Sequence, residues 1–582
     1  MKVQREAGTL VELTTETIES LKESPLFNED LKPVPISQRT WNVRHFASLW
    51  IGMAVCVPTY TLASGLINSG MNWWQAIMTV FLGNAIVLIP MAMIAFAGTK
   101  YGIPYPIFCR ASFGSRGAHL PALLRAGVAC GWFGIQCWIG GQFLNVALTQ
   151  SFDFWNDLDK QWVYVFDPNK ETDRAIAEVS TAYKALLKSK NAVKNLKQEI
   201  AKLQAAKGDD LAKKEAELET AINDSMTFQA KFSESKRYVI SLGMVFSFLI
   251  FWIINVWIGY KGAESIKWME TWGAPILIGI GGILILWAFY VAGGIWELFK
   301  ATDRPNEFLG GITFVRIFLP SLNGMISFWA TLALNIPDFS RYAKSQRDQV
   351  LGQVIGLPAT MGFYAFVGVC GTLGSIVVFG QAIWDPSELL ARFNSPILSI
   401  IGGFAIFLAT ITTNIAANVV APANAFSNLA PRIISYRIGA IITGIIGFLI
   451  QPWKLLSEPS GYIFGWLGTY GSFLGPLAGL YLADYYFIHR QRLNLKDLYI
   501  PNTGKYNFRY GINWIAFIAY FLSVIPFILT LKFDLGISGR NIQENSWTIG
   551  LVLSFAFYAA LMKLNRSSIT SKSEYQEITE NG

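Results

Sequence analysis

Histidine and cysteine are scarce, at three and five residues in a chain of 582. His45, His119 and His489 lie far apart, at the ends of apolar stretches or between them, so a histidine metal cluster is not expected. Cys56, Cys109, Cys130, Cys137 and Cys370 show none of the paired spacings that mark zinc ligands, and they offer no disulfide framework. Charge is scarce as well, at 15% of residues. The first 35 residues are polar and lack the apolar core of a signal peptide, so the first hydrophobic segment is expected to be retained as a span.

Apolar residues fill the space: 52% are hydrophobic and 14% aromatic, too many for an ordinary soluble protein. A spanning helix needs roughly 20 apolar residues. Stretches of that kind recur near 46–70, 73–97, 121–150, 237–260, 271–295, 310–336, 351–380, 397–421, 433–451, 459–487, 512–532 and 546–563, which predicts an all-α integral membrane protein of twelve transmembrane helices. With both termini cytoplasmic, sixteen Lys and Arg fall in short inner connections, among them Arg116, Arg125, Lys261 and Arg341. The outer ones hold six: Lys300, Arg304, Arg392, Lys454, Lys532 and Arg540. That bias sets the orientation and accounts for the net charge of +8 without nucleic acid. The expected organisation is a flexible cytoplasmic tail over 1–35, spans one to three over 36–150, an outer insert over 151–236, spans four to twelve over 237–565 and a cytoplasmic tail over 566–582.

The insert is hydrophilic. Val179, Leu186, Val193 and Ile200 recur every seven residues, and Ala182, Ser189, Leu196 and Leu203 follow three after each, an a/d heptad seam. Lys207-Gly-Asp-Asp210 then breaks the pattern, and Leu211, Leu218, Ile222, Met226 and Phe232 supply a second stripe. This reads as an antiparallel helical hairpin whose first arm, about 35 residues at 1.5 Å each, is about 50 Å long. It is either a self-contained decoration or an arm that docks a protein partner or a second copy.

Two spans carry breaking signals. Pro58 lies in the first, and the sixth holds Pro320, Asn323-Gly324 and Pro337-Asp338. Proline removes a backbone donor, and carbonyls so freed in lipid need protein, water or an ion. Spans one and six correspond if ten spans form two inverted five-helix repeats, an arrangement that builds a midplane site from interrupted helices. Polar and aromatic residues cluster in the same spans. Trp132 and Gln136, four apart, share one helix face; Trp329 lies in span six; and Thr410, Thr412, Thr413, Asn414 and Asn418 crowd span eight. No carboxylate lies at mid-depth in spans one, three, six or eight, and Asp338 and Asp484 fall near span ends as structural or gating groups.

The runs Trp41-Asn-Val-Arg-His, Gly131-Trp-Phe-Gly-Ile-Gln-Cys-Trp138, Thr412-Thr-Asn-Ile-Ala-Ala-Asn-Val-Val-Ala-Pro422, Leu482-Ala-Asp-Tyr-Tyr-Phe, Asn494-Leu-Lys-Asp-Leu-Tyr499 and Gly511-Ile-Asn-Trp514 resemble the nucleobase:cation symporter-1 family of hydantoin, allantoin, cytosine and uracil permeases. The resemblance covers about 36–150 and 237–565, and omits the insert. It implies a leucine-transporter-type fold, five plus five inverted helices with helices one and six unwound, followed by two more helices. It also implies a substrate held between Trp132 and Trp329 with amide contacts from Gln136 and Asn418. A cation site would comprise the Thr412 and Thr413 hydroxyls and the carbonyls of Gly52, Val55 and Ala409. Neutral oxygens suit sodium, which is favoured over a proton; no other cofactor is implied. Cys56 stands where the hydantoin transporters have a substrate-contacting glutamine, and Phe328 replaces a glycine beside the span-six tryptophan, so the substrate itself stays open. The run Pro422-Ala-Asn-Ala-Phe-Ser-Asn-Leu-Ala-Pro431 is closer to the allantoin and uracil branch.

The expected function is therefore secondary active import of a small nitrogen heterocycle by alternating access, across a plasma or bacterial inner membrane. The alternative is a non-transporting receptor in which the hairpin meets a partner and the pocket reports ligand. An enzyme is disfavoured, because the spans hold no acid/base or metal cluster.

Overall fold

The computed structural model describes residues 4–580 apart from 69, 166–171, 207–210, 237–238, 301–310, 381, 384–385, 394–395 and 456–458. Fourteen helices are labelled in chain order. The first three are α1 (Val43–Ala54), α2 (Val57–Asn68) and α3 (Trp73–Tyr101). Next come α4 (His119–Ser151), α5 (Leu242–Lys261), α6 (Ala263–Ala292), α7 (Gly311–Asn335) and α8 (Gln346–Phe379). The last six are α9 (Pro396–Asn418), α10 (Val420–Leu429), α11 (Tyr436–Leu449), α12 (Pro459–Leu482), α13 (Trp514–Lys532) and α14 (Ser546–Glu580).

Among the described residues, nine helical stretches are long and apolar enough to cross a membrane, and ten if the bent pair α1 and α2 is one span. The other two expected stretches form α11, only 14 residues long, and α12, whose first ten side chains lie outside the described residues. Local sequence starts the helices where it should. Asn42 with His45, and Asn72 with Gln75, form reciprocal capping boxes at α1 and α3, each satisfying two orphan N–H groups.

The helices pack in two groups. In one, α1 and α3 each pack on α8 and α7 packs on α3; in the other, α5, α9, α10 and α11 pack on α4. Helix α6 touches α8 and α1 on one side and α9 on the other, so it lies against both groups. Small residues permit the closest approaches, as expected where dispersion rather than water release drives helix association. A methyl built on Gly356 would fall 2.7 Å from Trp50 Cβ, and one on Gly134 would fall 2.3 Å from the Gly447 carbonyl oxygen.

Helix α7, the sixth expected span, lacks the unwinding expected of it. It runs unbroken through Pro320 and Asn323-Gly324 and stops only at Asn335, before the short turn Pro337–Ser340. One proline costs a helix a single donor, which neighbouring groups in a bundle can tolerate.

The segment expected as a flexible tail is folded from Gln4 onward. Strands β1 (Gln4–Ala7) and β2 (Leu10–Leu13) pair antiparallel, a helix follows at Thr15–Leu21, and Leu10, Val11, Leu13, Leu21, Phe27 and Leu31 are buried. These apolar residues are too irregularly spaced to show as an element in the sequence. Arg39 fastens the tail: its guanidinium donates to the carbonyls of Val11 at 2.7 Å, Val34 at 2.9 Å, Thr99 at 3.0 Å and Lys100 at 3.2 Å. Burial lowers its pKa to about 10, so it stays charged at neutral pH. Arg39→Ala strips a shared donor from these carbonyls and is expected to cost about 3 kcal/mol of stability, read as a lower unfolding midpoint of the detergent-purified protein.

Within the insert, helices Thr172–Ala206 and Leu211–Lys236 pack on each other; the intervening residues 207–210 lie outside the described residues. Val179, Ala182, Leu186, Ser189 and Ile200 of the heptad seam are buried, and Val193 and Leu196 half-buried. Its base is closed by a ribbon the sequence pattern did not announce, strand β3 (Trp162–Val165) antiparallel to β4 (Val239–Ser241). Asp159 fixes that base to α4 by accepting from Asn145 Nδ2 at 2.7 Å and from the Ser241 hydroxyl.

Candidate functional site

The site is built on the break between α1 and α2. Val55 leaves the helical region, with φ −80° and ψ 84°, and the two halves meet at a 62° bend. Helix α2 restarts at Val57 with Pro58 in its first turn, where a missing N–H costs nothing. The backbone N–H groups of Val55 and Cys56 go to the carbonyls of Ile51 and Ala54. Gly52 and Met53 are thereby left with carbonyls in the last turn, where intrahelical donors run out.

Helix α9 meets them with hydroxyls. Thr412 Oγ1 lies 3.0 Å from the Gly52 oxygen, 3.0 Å from Leu408 and 2.9 Å from Ala409. Thr413 Oγ1 lies 3.1 Å from both Gly52 and Met53. Each hydroxyl has one proton to give, so the node holds more acceptors than donors. Such an excess of neutral oxygens at the negative end of a half-helix fits a small hard cation. Val55 and Ala409 are buried together in one apolar cluster beside it. Of the expected cation residues, Gly52, Ala409, Thr412 and Thr413 are thus joined by hydrogen bonds, and Val55 by packing; Met53 was not expected.

The aromatic part lies alongside. The Trp329 ring stands edge-on to Trp50, with centroids 5.3 Å apart and planes at 88°. Phe328 touches Trp329 at 5.1 Å and Trp132 at 6.2 Å, edge-on to both. Phe328 therefore links the two indoles expected to flank a substrate. The Trp329 indole N–H donates to Met361 Sδ at 3.3 Å, which also lies 3.7 Å from the Thr59 hydroxyl, and Thr59 in turn is 3.2 Å from Cys56 Sγ. Cys56 thus faces its own helix turn and the cluster.

Gln136 is buried and its Oε1 has no hydrogen-bond partner. Asn418 Nδ2 donates to Asn414 Oδ1 at 3.1 Å, and Asn414 donates to Asn255 at 3.0 Å and to Cys137 at 3.3 Å. Trp132, Gln136, Trp329 and Asn418 are each 8% exposed or less, so the cluster is closed off from solvent. Trp50, Asn255 and Tyr470, whose hydroxyl is in hydrogen-bonding reach of the Trp132 indole, were missed. A lone Asn255 in an apolar span was the available signal.

The fold matches the solved structure of Mhp1, a nucleobase-cation-symport-1 family transporter, in a closed conformation with bromovinylhydantoin bound, at a TM-score of 0.66 and 21% identity over 93% of this chain and 96% of that one. Fold and apolar helices together define a multi-pass integral membrane protein with the fold of that structure. A family model described as a permease for cytosine/purines, uracil, thiamine and allantoin matches residues 33–162 and 224–550. The purine-uracil permease NCS1 of Arabidopsis thaliana is 38% identical over 95% of this chain and 81% of its own length. The allantoin permease of Bacillus subtilis (strain 168) is 32% identical over 93% and 94%. The chain belongs to the nucleobase:cation symporter-1 family and is a permease, not an enzyme. The two family matches leave out 163–223, most of the insert.

Proposed function

We propose that the protein is a cation-coupled secondary transporter importing a small planar or near-planar nitrogen heterocycle by alternating access. The observation that carries this reading is the buried, unpartnered Gln136 Oε1 one helical turn from Trp132 on α4. An indole face stacks on a ring for about 1–3 kcal/mol, and an amide oxygen without a partner accepts from a ring N–H beside it. Asn418 offers a second amide. A site of this kind rejects rings lacking the matching groups, because its own polar atoms would be left unpaired. The names of the relatives point to uracil, purines and allantoin as first candidates.

In this reading the chain has twelve spans, ten of them as two inverted five-helix repeats, with both tails cytoplasmic. Cation binding at the α1–α9 junction favours the outward-open state, substrate then permits closure, and the two helix groups rock against each other. Uptake of radiolabelled uracil, adenine, allantoin and hydantoin into a permease-deficient host tests it. At least one is expected to accumulate against its gradient when sodium is present. Accumulation of none would sink the reading, and binding without flux in proteoliposomes would make the protein a receptor.

The cation site yields its own expectation. Replacing both hydroxyls, Thr412→Val with Thr413→Val, keeps shape but removes two neutral oxygens. The sodium concentration for half-maximal uptake is expected to rise by about tenfold or more, with the maximal rate at saturating sodium much less affected.

A further inference from the structure

Glu270 lies in α6 at the lower margin of an apolar stretch, yet it is 2% exposed and neither carboxyl oxygen has a hydrogen-bond partner. Its place is set by Gly52. A methyl built there would fall 1.5 Å from Oε2 and 2.7 Å from the carboxyl carbon, so the carboxyl occupies the space any side chain at 52 would fill. About one turn further along α6, a methyl built on Gly273 would fall 3.2 Å from Thr412 Cγ2. The same face of α6 therefore presents Glu270 and Gly273 to the junction where Gly52 meets Thr412 and Thr413.

The chemistry there is one-sided. Two hydroxyl protons already face the four carbonyl oxygens of Gly52, Met53, Leu408 and Ala409. Glu270 adds two more oxygens without bringing a donor. A neutral carboxylic acid would bring only one donor to a node where four carbonyl oxygens already share two. An ionised carboxylate buried alone is disfavoured unless a positive charge sits beside it. A hard cation satisfies the whole set, because carboxylate, carbonyl and hydroxyl oxygens are its preferred ligands.

We propose that Glu270 is the anionic ligand of the coupling cation, contributed by α6 to a junction otherwise made of neutral oxygens. It gives the junction the charge that pairs with a monovalent cation, and it ties cation occupancy to the helix that touches both helix groups. This rests on the cation-coupled reading above.

The test uses the full-length purified protein and sodium chloride against choline chloride at constant pH and ionic strength, with intrinsic tryptophan fluorescence and radioactive-sodium binding as readouts. Glu270→Gln, close to isosteric, is expected to weaken sodium binding by about tenfold or more. Glu270→Asp keeps the charge and is expected to retain measurable sodium binding with an altered preference between lithium and sodium. Far-ultraviolet circular dichroism and the elution profile establish that each variant is folded. If either variant fails to fold, sodium protection of a cysteine placed at Gly273 in the otherwise wild-type chain replaces it, with protection expected. Wild-type sodium affinity in folded Glu270→Gln, or no protection at the Gly273→Cys position, overturns the assignment while leaving the symport reading intact. No sodium response in the wild type defeats the symport reading itself, and the assignment with it.

Discussion

Trp132→Ala is expected to reduce uptake at low substrate concentration by about 10- to 100-fold. Stacking on an indole supplies about 1–3 kcal/mol per ring, and 1.4 kcal/mol is a factor of ten. The loss falls on affinity first, because the indole acts on the bound ring. Trp132 also touches Phe328, which touches Trp329, so removing one indole loosens the packing of the next. Trp329→Ala should therefore cost at least as much, since its ring also packs on Trp50 and its N–H holds Met361. Trp268→Ala serves as the contrast. That indole is 67% exposed on the outer face of α6, and its loss is expected to change uptake by less than about twofold. Concentration-dependent uptake of the three variants checks all three. Equal losses at Trp132 and Trp268 would mean that the buried indoles serve packing alone.

The helices and the interrupted first span were legible because they obey simple rules. Apolar runs of spanning length mark most of the bundle, and Pro58 beside polar Thr59 marks the break. What escaped depends on three-dimensional neighbours. Glu270 stands among Trp268, Met269, Thr271 and Trp272, so a hydropathy reading begins the span just after it, whereas the helix starts at Ala263 and buries it. Its contact with Gly52 is 218 positions distant and leaves no local trace. The tail reads as flexible because its buried residues follow neither a helical nor a strand period; a guanidinium shared among distant carbonyls holds it instead. Asp484 fits the structural role expected of it, accepting from Ser112 at 2.8 Å and Tyr558 at 2.7 Å.

Arg125 falls among the cytoplasmic charges by sequence, whereas the structure places it in the second turn of α4, 1% exposed. Its guanidinium donates to the Thr331 carbonyl at 2.9 Å, to Asn335 Oδ1 at 2.8 Å and to the Ala417 carbonyl at 2.9 Å. Thr331 lies two residues beyond Trp329, and Ala417 adjoins Asn418. One cation thus ties α4 to α7 and α9 immediately beside the aromatic and amide cluster. The chain of bonds continues, since Asn335 donates to Asp338 Oδ2 at 3.2 Å and Asp338 Oδ1 accepts from Asn424 at 2.9 Å and the Tyr105 N–H at 3.0 Å. Because α4 and α7 belong to different helix groups, these bonds must part if the groups rock against each other. Arg125→Gln leaves buried carbonyls and Asp338 without the cation that offsets them, and is expected to cost about 3 kcal/mol or more of stability. Arg125→Lys keeps the charge but lacks the planar fork that serves three acceptors at once, so its uptake should also fall by about tenfold. Asp338→Asn tests the coupling. If Arg125 and Asp338 work through Asn335 as one unit, the double variant Arg125→Gln with Asp338→Asn will lose less stability than the sum of the two single losses. Unfolding midpoints of the four proteins measure this, and strictly additive losses would make the two ends of the chain independent.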